Sequence, residues 1–171
     1  IDGRDVGGLS LPTIARKMGY VAQRIEPSRV TAFDAVLMGR RPHVRWGVNR
    51  HDLEKVDAAL RQLAIKDLSM RYIDQVSGGE LQKVVIARAL AQEPEILLMD
   101  EPTSSLDLKN QIEVVNLIRR ISRERSIAAV VAMHDLNLAL RFADRFILLK
   151  DKTIFAAGGP EVITPENIES V

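Results

Sequence analysis

The chain has 171 residues, of which 46% are hydrophobic and 27% charged, with a formal net charge of +1. That length suits one domain, the apolar content can fill a core, and the charge gives no bulk attraction to nucleic acid. It has no cysteine, which excludes disulfides, zinc–thiolate sites and thiol catalysis. Its longest apolar runs, such as IAAVVAM at 127–133, fall far short of the roughly 20 residues that span a bilayer. The opening IDGRDVGG is neither a signal peptide nor an initiator methionine, and it reads as the interior of a longer protein.

MGYVAQ (18–23) predicts a short strand ending in Gln23. Thr31 is a plausible N-cap for a helix over 32–39. RRPHVRWGVNRH (40–51) is basic and broken by Pro42 and Gly47, so it reads as a loop that is solvated or touches RNA, lipid headgroups or a protein. In DLEKVDAALRQLAI (52–65), Leu53, Val56, Leu60 and Leu63 recur at helical spacing. VSGGE (76–80) is a glycine turn opening a helix over LQKVVIARALAQ. After Pro94 the texture changes. EILLMD (95–100) has the continuous apolar run of a strand buried on both faces. A helix (NQIEVVNLIRRISRE), a second buried strand (SIAAVVAMH), a short helix (DLNLALRFAD), a hairpin-like pair (RFILLK, TIFAAG) and a terminal turn (TPENIES) follow. This alternation predicts an α/β fold with a mostly parallel sheet. Residues 1–24 and 91–171 form its core, interrupted by a helical subdomain over 25–90.

In open parallel sheets, ligands bind beyond the carboxyl ends of the strands. Gln23, Asp100, Glu101 and His134 all follow apolar strands. Asp100 suits magnesium, which takes oxygen ligands and keeps several waters, so that one carboxylate and phosphate oxygens suffice. Glu101 could then orient or deprotonate an attacking water. The plain alternative is that both acids cap the following turn. In Ser77-Gly78-Gly79-Glu80, two glycines at a helix N-terminus turn backbone N–H groups outward and make an anion site, with the Ser77 hydroxyl as a further donor. The alternative is an ordinary N-cap. His134 either contacts a phosphate or caps the helix after it.

In order and spacing these residues resemble the ATP-hydrolysing subunit of ATP-binding-cassette (ABC) transporters. VSGGELQKVVIARAL is similar to the family signature, with Val76 where leucine is usual, and ILLMDE to the Walker B strand. SSLD (104–107) resembles the D-loop, Gln23 the Q-loop glutamine, and His134 the switch histidine. The resemblance implies a P-loop NTPase-like fold with ATP and magnesium as cofactors. Asp100 and Gln23 would face the metal, Glu101 would be the base and His134 would meet the γ-phosphate. Ser77, Gly78, Gly79, Glu80, Ser105 and Asp107 would lie at nucleotides sandwiched between two subunits. The implied partners are a second ATPase subunit in a homodimer, transmembrane permease subunits and, indirectly, a solute-binding protein, with no nucleic acid. The implied place is the cytoplasmic face of the cell membrane. AVLMGRRPH, DLNLALRFADRFILLK and ITPENIESV resemble importers of iron siderophores, haem and cobalamin; Lys152 stands where such proteins often have glycine. No lysine follows a glycine, so the phosphate cradle, a glycine-rich loop ending in Gly-Lys-Ser/Thr, is not in these residues. The expectation is an N-terminally truncated cassette, inactive by itself, with apolar sheet surface exposed. Soluble cassettes of DNA repair or translation are the alternative.

Overall fold

The computed structural model describes residues 1–23 and 29–171. The expected boundary between core and helical subdomain, at 24–25, therefore falls at residues outside that description. The chain divides into two compact units, Ile1–Met133 and His134–Val171.

The first unit is built on three parallel strands in the order β1 (Met18–Val21), β2 (Ile96–Asp100) and β3 (Ala128–Ala132). Val21 pairs with Met99, and Asp100 with Ala132. Helix α1 (Leu11–Lys17) leads into β1. The strand-centred reading passed over it, although Ser10 is its N-cap and Pro12 sits in its first turn. Between β1 and β2 run α2 (Ala32–Leu37), α3 (Arg50–Gln62) and α4 (Gly78–Ala91). Thr31 caps α2 as expected, its hydroxyl accepting from the Asp34 N–H at 3.1 Å; past Leu37 the chain tightens into a 3-10 turn over Met38–Arg40. Helix α3 starts two residues ahead of the expected position because Asn49 and Asp52 form a reciprocal capping box. Helix α5 (Leu108–Arg125) follows β2 and ends at Ser126 in a left-handed conformation, φ 53°.

One apolar core unites these helices with the sheet. Ile86 and Leu90 of α4, Leu97 and Met99 of β2, and Val114, Ile118 and Ile121 of α5 are all buried in it. Each such side chain contributes roughly 1.5–3 kcal/mol. Strand β2 alternates buried and half-buried residues, so its second face is only partly covered. Strand β3 departs further from the expected two-face burial: Ala128, Ala129, Val130 and Ala132 are exposed, Val130 at 46%. It stands at one end of the strand order, paired on one side only among the described residues; β1, at the other end, still buries Gly19 and Val21, so what β3 lacks is side chains packed over its faces. An unbroken apolar run reports a strand suited to burial, not whether its neighbours are present.

A buried ionic network ties the helices together. Arg40 is 2% exposed, and its Nε donates to Asp52 Oδ1 at 3.0 Å. Its Nη1 donates to the carbonyl of Ala91, the last residue of α4, at 2.7 Å and to Glu93 Oε2 at 2.9 Å. Lys55 closes the network on the other oxygen of Glu93. Beside it, Gly39 lies so close to α4 that a Cβ there would sit 2.0 Å from the Arg88 carbonyl oxygen. The absent side chain lets α4 and the Met38–Arg40 turn touch backbone to backbone.

The second unit holds α6 (Leu136–Phe142), the antiparallel hairpin β4 (Phe146–Lys150) and β5 (Thr153–Gly158), and α7 (Pro165–Ser170). The hairpin turns on Asp151 and Lys152, at φ 48° and 64°. Two consecutive positive φ values match the type I′ turn that favours Asn-Gly or Asp-Gly. Ile147, Leu149, Ile154 and Phe155 of the hairpin are exposed.

Candidate functional site

The parallel pairing of β1 with β2 sets the first part of the site. Val21 is level with Met99, so Gln23 and Glu101, each two residues further on, emerge side by side past the strand ends. Gln23 Nε2 donates to Glu101 Oε2 at 2.7 Å. Two residues far apart in sequence, each following an apolar strand, are brought into direct contact at the carboxyl edge of the sheet. The amide oxygen of Gln23 is then the atom able to face a cation.

Glu101 has an unusual backbone. Its φ is +43°, in the left-handed region that side-chain-bearing residues rarely enter, at a cost of order 1–3 kcal/mol. Its N–H still donates to the Ala132 carbonyl at 3.0 Å, prolonging the β2–β3 ladder past Asp100. The strained residue is thus held by the sheet, and the chain turns sharply away through buried Pro102 and Thr103. Asp100, the last residue of β2, is half-buried. Among the described residues no cluster of three His, Cys, Asp or Glu is placed to hold a metal. A carboxylate and an amide oxygen at a sheet edge fit magnesium, which needs few protein ligands when phosphate oxygens and water complete its shell.

The second part is the N-terminus of α4. Ser77 is its N-cap, and its Oγ accepts from the Glu80 N–H at 3.3 Å. Glu80 Oε2 accepts in turn from the Ser77 N–H and the Ser77 hydroxyl, both at 2.8 Å. These bonds hold the Glu80 carboxyl below the usual range, the backbone donor first and the hydroxyl second. The hydroxyl expected to serve an outside anion is engaged within the turn. The outward donors are the N–H groups of Gly78 and Gly79, at the first two positions of the helix, where no intrahelical carbonyl is within reach. Gly78 has open space, a Cβ there meeting only Leu106 Cδ2 at 3.7 Å. Gly79 is tighter, at 3.0 Å from Asn110 Oδ1.

Asn110 joins this turn to the SSLD segment. Its N–H and Nδ2 donate to the two carboxylate oxygens of Asp107, each at 2.8 Å, making Asp107 the N-cap of α5. Both oxygens of Asp107 therefore have a structural use. Ser104 Oγ donates to the Glu101 carbonyl at 3.1 Å, and Gln111 Nε2 to the carbonyls of Thr103 and Leu106 at 3.3 and 3.1 Å. Ser105 stays exposed between them. The reading of single motifs missed Asn110 and Gln111. Their signal was present as polar residues three and four positions after an N-cap Asp, where side chains fold back on the cap.

His134 opens the second unit and is exposed. It does not cap α6; Asp135 does, accepting from the Leu138 N–H at 2.9 Å. The capping alternative for His134 is thus removed.

The profile of the ABC transporter family matches residues 1–104. An uncharacterized ABC transporter ATP-binding protein of Methanocaldococcus jannaschii is 56% identical over the whole chain, which spans 67% of that protein. The ferric enterobactin transport ATP-binding protein of Escherichia coli K12 is 36% identical, again over the whole chain and 65% of the relative. The achromobactin transport ATP-binding protein of Dickeya dadantii is 38% identical over 97% of the chain and 63% of the relative. The chain thus spans about two thirds of the length of each of these three relatives. Among solved structures, a metal-chelate type ABC transporter in an inward-facing conformation superposes with a TM-score of 0.84 at 32% identity, covering 90% of this chain and 63% of that one. With Gln23 against Glu101 at the sheet edge and a glycine turn opening α4, this α/β chain belongs to the ABC transporter family.

Proposed function

We propose that the whole protein is the ATP-binding and hydrolysing subunit of an importer of an iron chelate or similar metal complex. The observation that carries this reading is the Gln23–Glu101 contact beside Asp100, in a chain of this family. Asp100 and the Gln23 amide oxygen would hold magnesium, which supplies charge neutralisation for the phosphates when bound. Glu101 is positioned by Gln23 and by its left-handed backbone, and it accepts a proton from water at its carboxylate. General-base action of this kind contributes about 10²–10⁴-fold. By its resemblance to the family's switch histidine, His134 would serve the γ-phosphate. The Gly78 and Gly79 N–H groups face the nucleotide of a second subunit and add helix-dipole stabilisation. Ser105 and Asp107 lie toward that subunit, Asp107 by shaping the loop it caps. Transmembrane permease subunits, fed by a solute-binding protein, would receive the motion at the cytoplasmic face of the membrane. The import substrate is supported by relatives described as ferric enterobactin and achromobactin transport proteins.

The test is to purify the full-length protein from detergent-solubilised membranes. Recovery with a membrane-spanning subunit, and ferric-chelate uptake that stops when the gene is deleted, are expected. Recovery with ribosomes or DNA would overturn the reading.

A further inference from the structure

The stretch from Arg40, at the end of the Met38–Arg40 turn, through the intervening loop to the first residues of α3 plays no part in the chemistry above. Residues 40–51 hold four arginines and two histidines and no acid. Arg40 is spent in the buried network with Asp52 and Glu93. Arg41, Arg45 and Arg50 face solvent, and of these Arg50 pairs with exposed Glu54 at 2.9 Å. At the tip, Trp46 is 101% exposed and Val48 50%. The loop is nonetheless anchored. Arg16 Nε donates to the Pro42 carbonyl at 3.1 Å, His43 Nε2 bonds the Gln92 carbonyl at 2.8 Å, and the Asn49–Asp52 capping box fixes the far end.

We propose that this loop docks on an anionic membrane surface, with Trp46 entering the interface and Arg41 and Arg45 meeting headgroup phosphates. Tryptophan's amphipathic ring favours the membrane–water boundary, and arginines near it gain from the negative surface potential. Charge complementarity carries the choice, since a stretch free of acids suits a uniformly negative layer. A side chain left wholly in water is a protrusion, not the rim of a groove, which favours a fluid layer over a shaped protein partner. A single-stranded nucleic acid would want several aromatic faces for stacking. Trp46 is the one aromatic ring of the stretch besides its histidines. The inference uses no part of the nucleotide site and stands or falls apart from it.

The test is tryptophan fluorescence of the full-length protein, with the difference between parent and Trp46→Phe isolating residue 46. Vesicles of phosphatidylcholine with about a third phosphatidylglycerol should shift the difference spectrum to the blue, and raised salt should reverse the shift. Arg41→Gln and Arg45→Gln should each weaken vesicle binding roughly five-fold with unchanged circular dichroism and ATP turnover. A spectrum unmoved by anionic vesicles, an equal response to pure phosphatidylcholine, or a response to poly(U) RNA in their place would overturn the proposal.

Discussion

Replacing Asp52 by Asn keeps the shape of the buried network and removes one charge. Arg40 would then sit 2% exposed with only Glu93 as its anionic partner, and Glu93 is itself partly in water. Breaking a buried ion pair by removing one member costs about 3–5 kcal/mol. The Ala91 carbonyl and Glu93 still engage Nη1, which places the loss at the lower end, about 3 kcal/mol. For a chain of this size that is a fall in Tm of roughly 6–12 °C. Burial raises the Asp52 carboxyl, but the Asn49 N–H and the Arg40 guanidinium outweigh it and hold the group below its ordinary value. Its stabilisation is therefore complete above the unfolded value of about 3.9 and disappears as pH falls through the folded one. Denaturant unfolding of the full-length protein at neutral pH and near pH 3 measures both effects. The variant should be less stable at neutral pH and show a shallower acid loss than the parent. Arg40→Met combined with Asp52→Leu, which removes both charges, should recover part of the stability. The reasoning fails if Asp52→Asn costs under about 1 kcal/mol, or if the double variant is the least stable of the three.

Three further outcomes follow from single contacts. Gly78→Ala should fold as the parent does, within about 0.5 kcal/mol, because a Cβ meets only Leu106 at 3.7 Å; full-length ATP turnover should nonetheless fall at least ten-fold, read in a phosphate-release assay. Lys152→Gly relieves a side chain at φ 64° and should raise stability by about 1 kcal/mol, measured by thermal unfolding. Ser77→Ala removes the cap of α4 and should cost about 1 kcal/mol in denaturant unfolding; it also removes one of the bonds that lower Glu80, so stability near pH 4 should depend less steeply on pH than in the parent.

Much of this molecule was legible in its sequence for a physical reason. Apolar runs ending in polar residues gave β1 and β2, and parallel pairing then brought Gln23 to Glu101 without further assumption. Capping residues marked α2 and α4 because a short side chain that accepts from the backbone has few other uses there. The Arg40–Asp52–Glu93 network was hidden, since it joins three helices at long sequence range and a basic stretch gives no sign that one of its arginines is buried. The exposure of β3 was hidden too, because an apolar strand has the same sequence whether or not a neighbour covers it. The left-handed φ of Glu101 could not be read from glutamate, which carries no preference for that region.

The central claim is that Glu101 acts on water beside Asp100 at the edge of the sheet. Its most direct test is Glu101→Gln in the full-length protein, with ATP binding and phosphate release measured on the same sample. The account predicts that magnesium-ATP still binds while turnover falls at least a hundred-fold. Hydrolysis at the parent rate would contradict it.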